Sequence, residues 1–406
     1  MGDVYNEALS SGRYQKPSGL LGKYDNVRRF WEDQELGLYL RPYLEELVDA
    51  RKKEGKQLRV LDLGCGGGDG LEMITAINRT NPPLAQHDAR IIQPDTLELY
   101  HGVDMNEGLL VQARSIYGGR PNLAFFQADF NKCDLIDEQA YDLYLANYGT
   151  LSHNDDDQTV ALLGRIARSA RKGAVIIVDW LGRFSYEWQT LWTKDLAANE
   201  WMDYVISYIY AGDDKPKKQN LSHFPLRIMG RREADRIYER VSKDTGGAIS
   251  RLKLADRSSY VGRHIDTGDY NPHCQPLRRL VNSLFEPNVG TDLAKLVISY
   301  VPQEGFDEVN AYYEKLTRYW NYLVLYTQAL LAATAPPEAP IRMPLAVRQA
   351  VSTMSKTVKL AASMKLGNPR PDWVEPQLGY CLRETEMALQ EGLGCGHGLV
   401  SIFKIK

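Results

Sequence analysis

Apolar positions along the chain alternate between short runs and helical stripes. Arg59 to Leu63 is an apolar run closed by a glycine cluster, and Leu71, Met73, Ile74 and Ile77 then recover helical spacing, so the stretch reads strand, tight turn, helix. The unit recurs. A strand from Leu97 to Val103 precedes a helix from Leu109 to Tyr117, stopped at Gly118-Gly119. Leu123 to Gln127 and Tyr141 to Ala146 are further strands, the second followed by a helix running to Arg171, and Ala174 to Asp179 is a fifth strand. Strands alternating with helices in this way predict an α/β chain with a doubly wound sheet.

Elements flank this series on both sides. Residues 1 to 22 read as a polar lead-in, and from Lys23 a helical face carries Tyr24, Val27, Phe30 and Trp31, continuing after Gly37 through Leu40, Leu44, Leu47 and Val48. Asn81-Pro82-Pro83 ends the first helix after the glycine cluster near Arg79, and a polar insertion runs to Asp95. Residues 184 to 210 are dense in Tyr and Trp and are expected to be helical. Arg231 to Lys243 is an amphipathic helix, and Ala248 to Ala255 suits a sixth strand. Gly262 to Asn271 has no period and reads as a loop. Helical patterns cover 276 to 284, 292 to 299, 305 to 333, 344 to 366 and 378 to 390, and the apolar run from Leu399 to Ile405 reads as a closing strand.

The glycine cluster carries the chemistry. A turn without Cβ atoms admits positive φ and lets a ligand touch main chain, while amides at the next helix N-terminus face it. The dinucleotide pattern G-x-G-x-x-G fails: counted from Gly64 its last position is Asp69, and counted from Gly66 it is Leu71. Gly64, Gly66 and Gly68 instead stand at steps of two, with Asp62 two residues ahead of the first. This resembles the D-x-G-x-G-x-G motif of class I S-adenosylmethionine-dependent methyltransferases. The acid fits physically, since that cofactor carries an ammonium and a sulfonium, whereas a pyrophosphate would be repelled.

The resemblance covers roughly residues 20 to 180 by motif and implies a Rossmann-like, seven-stranded doubly wound sheet. A seventh strand would lie antiparallel beside the sixth, and a large helical lid or insertion would be added. The expected division is an N-terminal helical cover (1 to 57), a cofactor-binding core (58 to 260 plus 378 to 406) and a helical insertion (261 to 377). Asp62, Gly64, Gly66 and Gly68 would cradle the methionine part and sugar. Asp104, ending the second strand, would accept from both ribose hydroxyls, with Met105 against the adenine. Asp129 would accept from the adenine amino group, Phe130 would stack on the base or belong to the core, and Asn147 would face the sulfonium. Tyr24, Arg28 and Trp31 resemble the helix that covers the methionine end, with Arg28 or Arg29 pairing with its carboxylate; the alternative is an amphipathic helix with solvated arginines. His153 is the candidate base or substrate ligand, against a plain capping turn ahead of Asp155-Asp156-Asp157.

Composition narrows the partners. A net charge of −3 with 25% charged residues gives no general pull toward nucleic acid, and basic tracts are as short as Lys215-Pro216-Lys217-Lys218. No secretory signal or membrane-spanning run is readable. Five scattered cysteines fit free thiols in a reducing cytoplasm. Cys395 and His397 alone do not complete a metal site. The expected activity is methyl transfer to an oxygen, nitrogen or carbon nucleophile of a small, partly aromatic or apolar molecule, of the kind met in natural-product metabolism. Transfer of the aminocarboxypropyl group by the same fold and non-catalytic cofactor binding are the alternatives.

Overall fold

The computed structural model describes residues 2–16, 22–81, 85–86, 88–194, 201–206, 223–263, 271, 273–275 and 277–406. Strands β1 (Leu58–Leu63), β2 (Leu97–Asp104), β3 (Leu123–Gln127), β4 (Leu143–Ala146) and β5 (Val175–Gly182) are parallel and ordered β3-β2-β1-β4-β5. Strand β9 (Gly398–Ile405) pairs antiparallel with β5 on one side and with β8 (Ile249–Arg257) on the other. The result is a seven-stranded core sheet whose single reversed strand lies between β5 and β8.

Alternation along the buried strands builds two cores. Leu58 and Val60 of β1 and Val175 and Ile177 of β5 face α2 (Asp33–Lys53), α3 (Asp69–Ala76) and α4 (Glu107–Tyr117). Leu61, Leu63, Ile176 and Val178 face α5 (Leu135–Glu138), α6 (Asp156–Ser169) and α7 (Arg231–Asp244). Strands covered on both faces explain why β5 is apolar at nearly every position.

Three segments depart from expectation. Residues 2–10, read as polar lead-in, form α1 (Gly2–Ser10), which packs on α4 with Ala8 buried. Of residues 184–210, expected to be helical, 195–200 and 207–210 lie outside the described residues and the others are not one helix: a 3-10 turn spans Tyr186–Leu191, and β6 (Trp201–Tyr204) pairs antiparallel with β7 (Phe224–Met229). Strand β7 continues the sheet at Leu181 and Gly182, beyond the point where β4 stops at Val178. Tyr and Trp fit strands as readily as helices, so aromatic density alone did not discriminate. The 292 to 299 segment shortens to a 3-10 turn, Leu293–Leu296. Of the expected 262 to 271 loop, residues 264 to 270 lie outside the described residues.

Helices α8 (Arg278–Leu284), α9 (Asp307–Leu331), α10 (Leu345–Ser363) and α11 (Glu375–Leu389) share a third core with β6, β7 and the N-terminal segment. Helix α11 packs against α9 and α10. Among the described residues no helix is long and apolar enough to cross a membrane.

Buried charge ties the N-terminal segment to these helices. Arg278 of α8 donates to both carboxylate oxygens of Asp25 at 2.8 Å and to Glu32 at 2.7 Å, all three side chains being fully buried. Against the opposing effect of burial, Arg278, with Arg263 and Arg257 behind it, holds Glu32 well below the usual carboxylate range. Removing the cation strands two buried acids. Arg278→Ala is expected to cost about 3–5 kcal/mol of stability, read as a lowered urea midpoint by circular dichroism; an unchanged midpoint would show that the triad contributes nothing.

Candidate functional site

The turns after β1, β2, β3 and β4 enclose one cavity of about 370 Å³, within the range of small-molecule sites. Gly64 and Gly66 line it with φ of +69° and +53°. At Gly64 a Cβ would lie 2.7 Å from the Thr150 side chain, so the turn after β1 can touch the turn after β4 only through glycine. Gly68 caps α3 with its Cα against Tyr117 and does not line the cavity.

Acids close the strand ends. Asp62 of β1 lines the cavity while 2% exposed, and the Tyr100 hydroxyl donates to it. Asp104 accepts from the Gly66 amide at 2.9 Å and the Asn106 amide at 2.8 Å, which locks the glycine turn to the end of β2. Each oxygen keeps a lone pair. Asp129 caps a 3-10 turn by accepting from the Asn131 amide at 2.9 Å. Phe130 is buried beside it and Met105 is 60% exposed at the rim.

Asn147, directly after β4, lines the cavity while 5% exposed, and neither its Oδ1 nor its Nδ2 has a hydrogen-bond partner. Buried amides are nearly always paired, so this one points to a ligand. Tyr148 beside it holds φ of +60°, costly for a bulky residue, and is clamped on all sides. Its amide donates to Asp179 at 3.1 Å, its hydroxyl to Asp33 at 2.5 Å, and the Arg28 guanidinium stacks 3.4 Å above its ring.

Arg28 and Tyr24 stand behind the cavity wall. Arg28 Nε donates to Asp33 at 2.6 Å and Nη2 approaches Asp69 at 3.5 Å, while the Tyr24 hydroxyl donates to Asp69 at 2.9 Å. The cations that line the cavity are Lys23 and Arg263. Lys23 pairs with Asp69 at 2.6 Å; burial, against the pull of Asp69, brings it down to about 8.

His153 ends the 3-10 turn Thr150–His153 and lines the cavity. Its Nε2 lies 3.2 Å from the Tyr5 hydroxyl, its ring stacks on Phe224 of β7 at 6.0 Å, and its Nδ1 is buried without a partner. Burial pushes the imidazole down to about 4, so it is neutral at pH 7. Tyr5 and Tyr14, their rings 6.3 Å apart, complete this wall and were not legible as site residues. The spacing of Tyr5, Ala8 and Leu9 is the helical signal that would have marked α1 as packed. His397 and Cys395 lie elsewhere, fully buried, with His397 Nδ1 on Glu187 and its ring against Trp188.

No protein-family model matches the chain, and no curated protein sequence matches it. Solved structures do resemble it. A S-adenosylmethionine-dependent methyltransferase from Clostridium acetobutylicum is 14% identical, with 53% of this chain covering 83% of that one at a TM-score of 0.31. S-adenosylmethionine-bound CalS10, an amino pentose methyltransferase from Micromonospora echinaspora, is 12% identical, with coverages of 53% and 86% and a TM-score of 0.29. The cyclase SpnF is 15% identical, with coverages of 55% and 62% and a TM-score of 0.32.

The neutral His153 makes an acid-stability prediction. Its folded pKa is depressed, so its contribution is present above the unfolded value near 6.5 and lost as pH falls through about 4. His153→Gln is therefore expected to lose less melting temperature than the natural chain between pH 7 and pH 4; parallel thermal scans with equal losses would contradict this.

Proposed function

We propose that the cavity binds S-adenosylmethionine and that the chain transfers its methyl group to an oxygen, nitrogen or carbon nucleophile of a small molecule. One observation carries the reading: the unpartnered Asn147 amide, the glycine turn and the acids Asp62 and Asp104 converge on one enclosed space at the carboxyl ends of the strands. That is where open α/β sheets bind ligands. An acid-rich wall beside the glycine turn suits a cationic nucleoside and repels a pyrophosphate.

In this reading Asp62 faces the ammonium, Asp104 the ribose and Asp129 the adenine edge, with Met105 and Phe130 flanking the base. Asn147 faces the sulfonium side. Arg263 takes the carboxylate, with Lys23 held beside it on Asp69; the part was given by sequence to Arg28 or Arg29, and the Arg28 guanidinium is committed to Asp33 and Tyr148. The bound cofactor supplies a methyl carbon already made electrophilic by sulfonium. The protein then has to align the nucleophile and keep water away. Tyr5, Tyr14 and His153 form the wall suited to the acceptor, and a neutral His153 can take a proton if the nucleophile carries one. An aromatic wall on this cavity, in a chain of net charge −3, supports a small-molecule acceptor. Five free, buried cysteines accord with a reducing cytoplasm.

Calorimetry with S-adenosylmethionine tests the reading directly. The natural chain is expected to bind it, and Asp104→Ala to bind about 10- to 100-fold more weakly, the value of hydrogen bonds at a charged group. Asn147→Leu, similar in volume, is expected to fold normally and to lose turnover with any accepted substrate; product mass separates methyl from aminocarboxypropyl transfer. No uptake of the cofactor by the natural chain would sink the proposal.

A further inference from the structure

Among the described residues, Asp62 is an acid with no counter-ion of its own. Its Oδ2 accepts from Tyr100 of β2, and Gly70 of α3 packs so closely that a Cβ there would lie 2.2 Å from that oxygen. The other groups facing it do not balance its charge. The turn contributes the Cys65 thiol, α3 the Asp69 carboxylate, the end of β2 the Asp104 carboxylate, and β4 the apolar Leu145. The N-terminal segment contributes Lys23, but its ammonium sits on Asp69 at 2.6 Å. Among the described residues no ion pair reaches Asp62. Burial first, opposed by the Tyr100 hydrogen bond and reinforced by Asp69 and Asp104, pushes the carboxyl up to about 8.

On the reading that this cavity takes S-adenosylmethionine, we infer that Asp62 is a proton-exchanging seat for the ammonium of the ligand. Asp62 holds a proton in the free protein at neutral pH and releases it to solvent when the ammonium arrives. The balance is simple: the carboxyl O–H breaks, its proton passes to buffer, and the carboxylate pairs with an ammonium that keeps its own protons. The seat thereby discriminates. A nucleoside with an amino-acid ammonium ionises Asp62, and one without it meets a neutral acid and gains no ion pair.

The consequence is a pH dependence with a definite sign. An acid raised in the free protein and ionised in the complex makes binding weaken as pH falls below about 8, by up to about tenfold per unit.

Titration calorimetry of the full chain at pH 7, run in phosphate and in Tris, reads the exchange through their different ionisation enthalpies. S-adenosylhomocysteine, which carries the ammonium and does not react, is expected to release about 0.5–1 proton per site. 5′-Methylthioadenosine, which lacks the amino-acid part, is expected to release none. Asp62→Asn keeps the shape and can still accept from Tyr100; it should bind S-adenosylhomocysteine more weakly, without proton release and with a flat pH profile from 6 to 7, below the range in which Lys23 titrates. Binding of S-adenosylhomocysteine with the same apparent enthalpy in both buffers would overturn this inference and leave the cofactor reading standing. Proton release that persists in Asp62→Asn would overturn it equally. No binding of S-adenosylhomocysteine or S-adenosylmethionine would overturn both.

Discussion

The site depends on how closely the turn after β1 approaches the turn after β4. Gly64 meets Thr150 at a distance that no side-chain-bearing residue at that position allows. The approach brings the Gly66 amide onto Asp104 on one side and leaves Asn147 facing the same space on the other. Three strand ends are thus fixed by main chain rather than by long side chains. Such a frame is ordered at the cost of glycine's backbone freedom on folding, and so holds its shape before any ligand arrives.

Around this frame the protein accepts costs that it offsets elsewhere. Tyr148 sits at positive φ, and Asp179, Asp33 and Arg28 together over-determine its place. Buried arginines recur on the side of the sheet where the N-terminal segment meets the added helices: Arg257 on Asp179 at 2.7 Å and Arg278 on Asp25 and Glu32. Each desolvated ion is expensive alone and tolerable as a pair. The cavity wall formed by Tyr14 and Lys23 therefore rests on electrostatic ties as well as on packing.

Much of this was readable beforehand, and the failures have physical causes. Strands β1, β4 and β5 were legible because doubly covered strands are continuous apolar runs broken by glycine and polar turns. The alternate glycines with Asp62 pointed to a turn of which Asp62, Gly64 and Gly66 line the cavity, and Asp104 and Asn147, read as strand-end positions, line it too. Arg28 misled because a helix pattern reports which face is apolar, not which acid a guanidinium finds. Asp33 and Asp69 found it first. The α1 wall was missed because only Tyr5, Ala8 and Leu9 mark its inward face, too few apolar positions to stand out among exposed polar ones such as Asn6 and Ser10. Strand β6 was missed because aromatic residues serve helix and strand alike.

The place of β9 bears on how the molecule assembles. Its eight residues fill the gap between β5 and β8, though its partner Arg257 stands some 140 positions earlier than Gly398. Closing so long a loop adds little to the free energy of the product, but distant pairings slow the search for it. Until those residues arrive, the flank of β5 is an open ladder of unpaired amides and carbonyls. The chain threaded between β8 and β9 passes through helices whose core is shared with β6, β7 and the N-terminal segment, as where Trp320 packs on Trp31 and Tyr260, so the strand that fills this edge is tethered to all three.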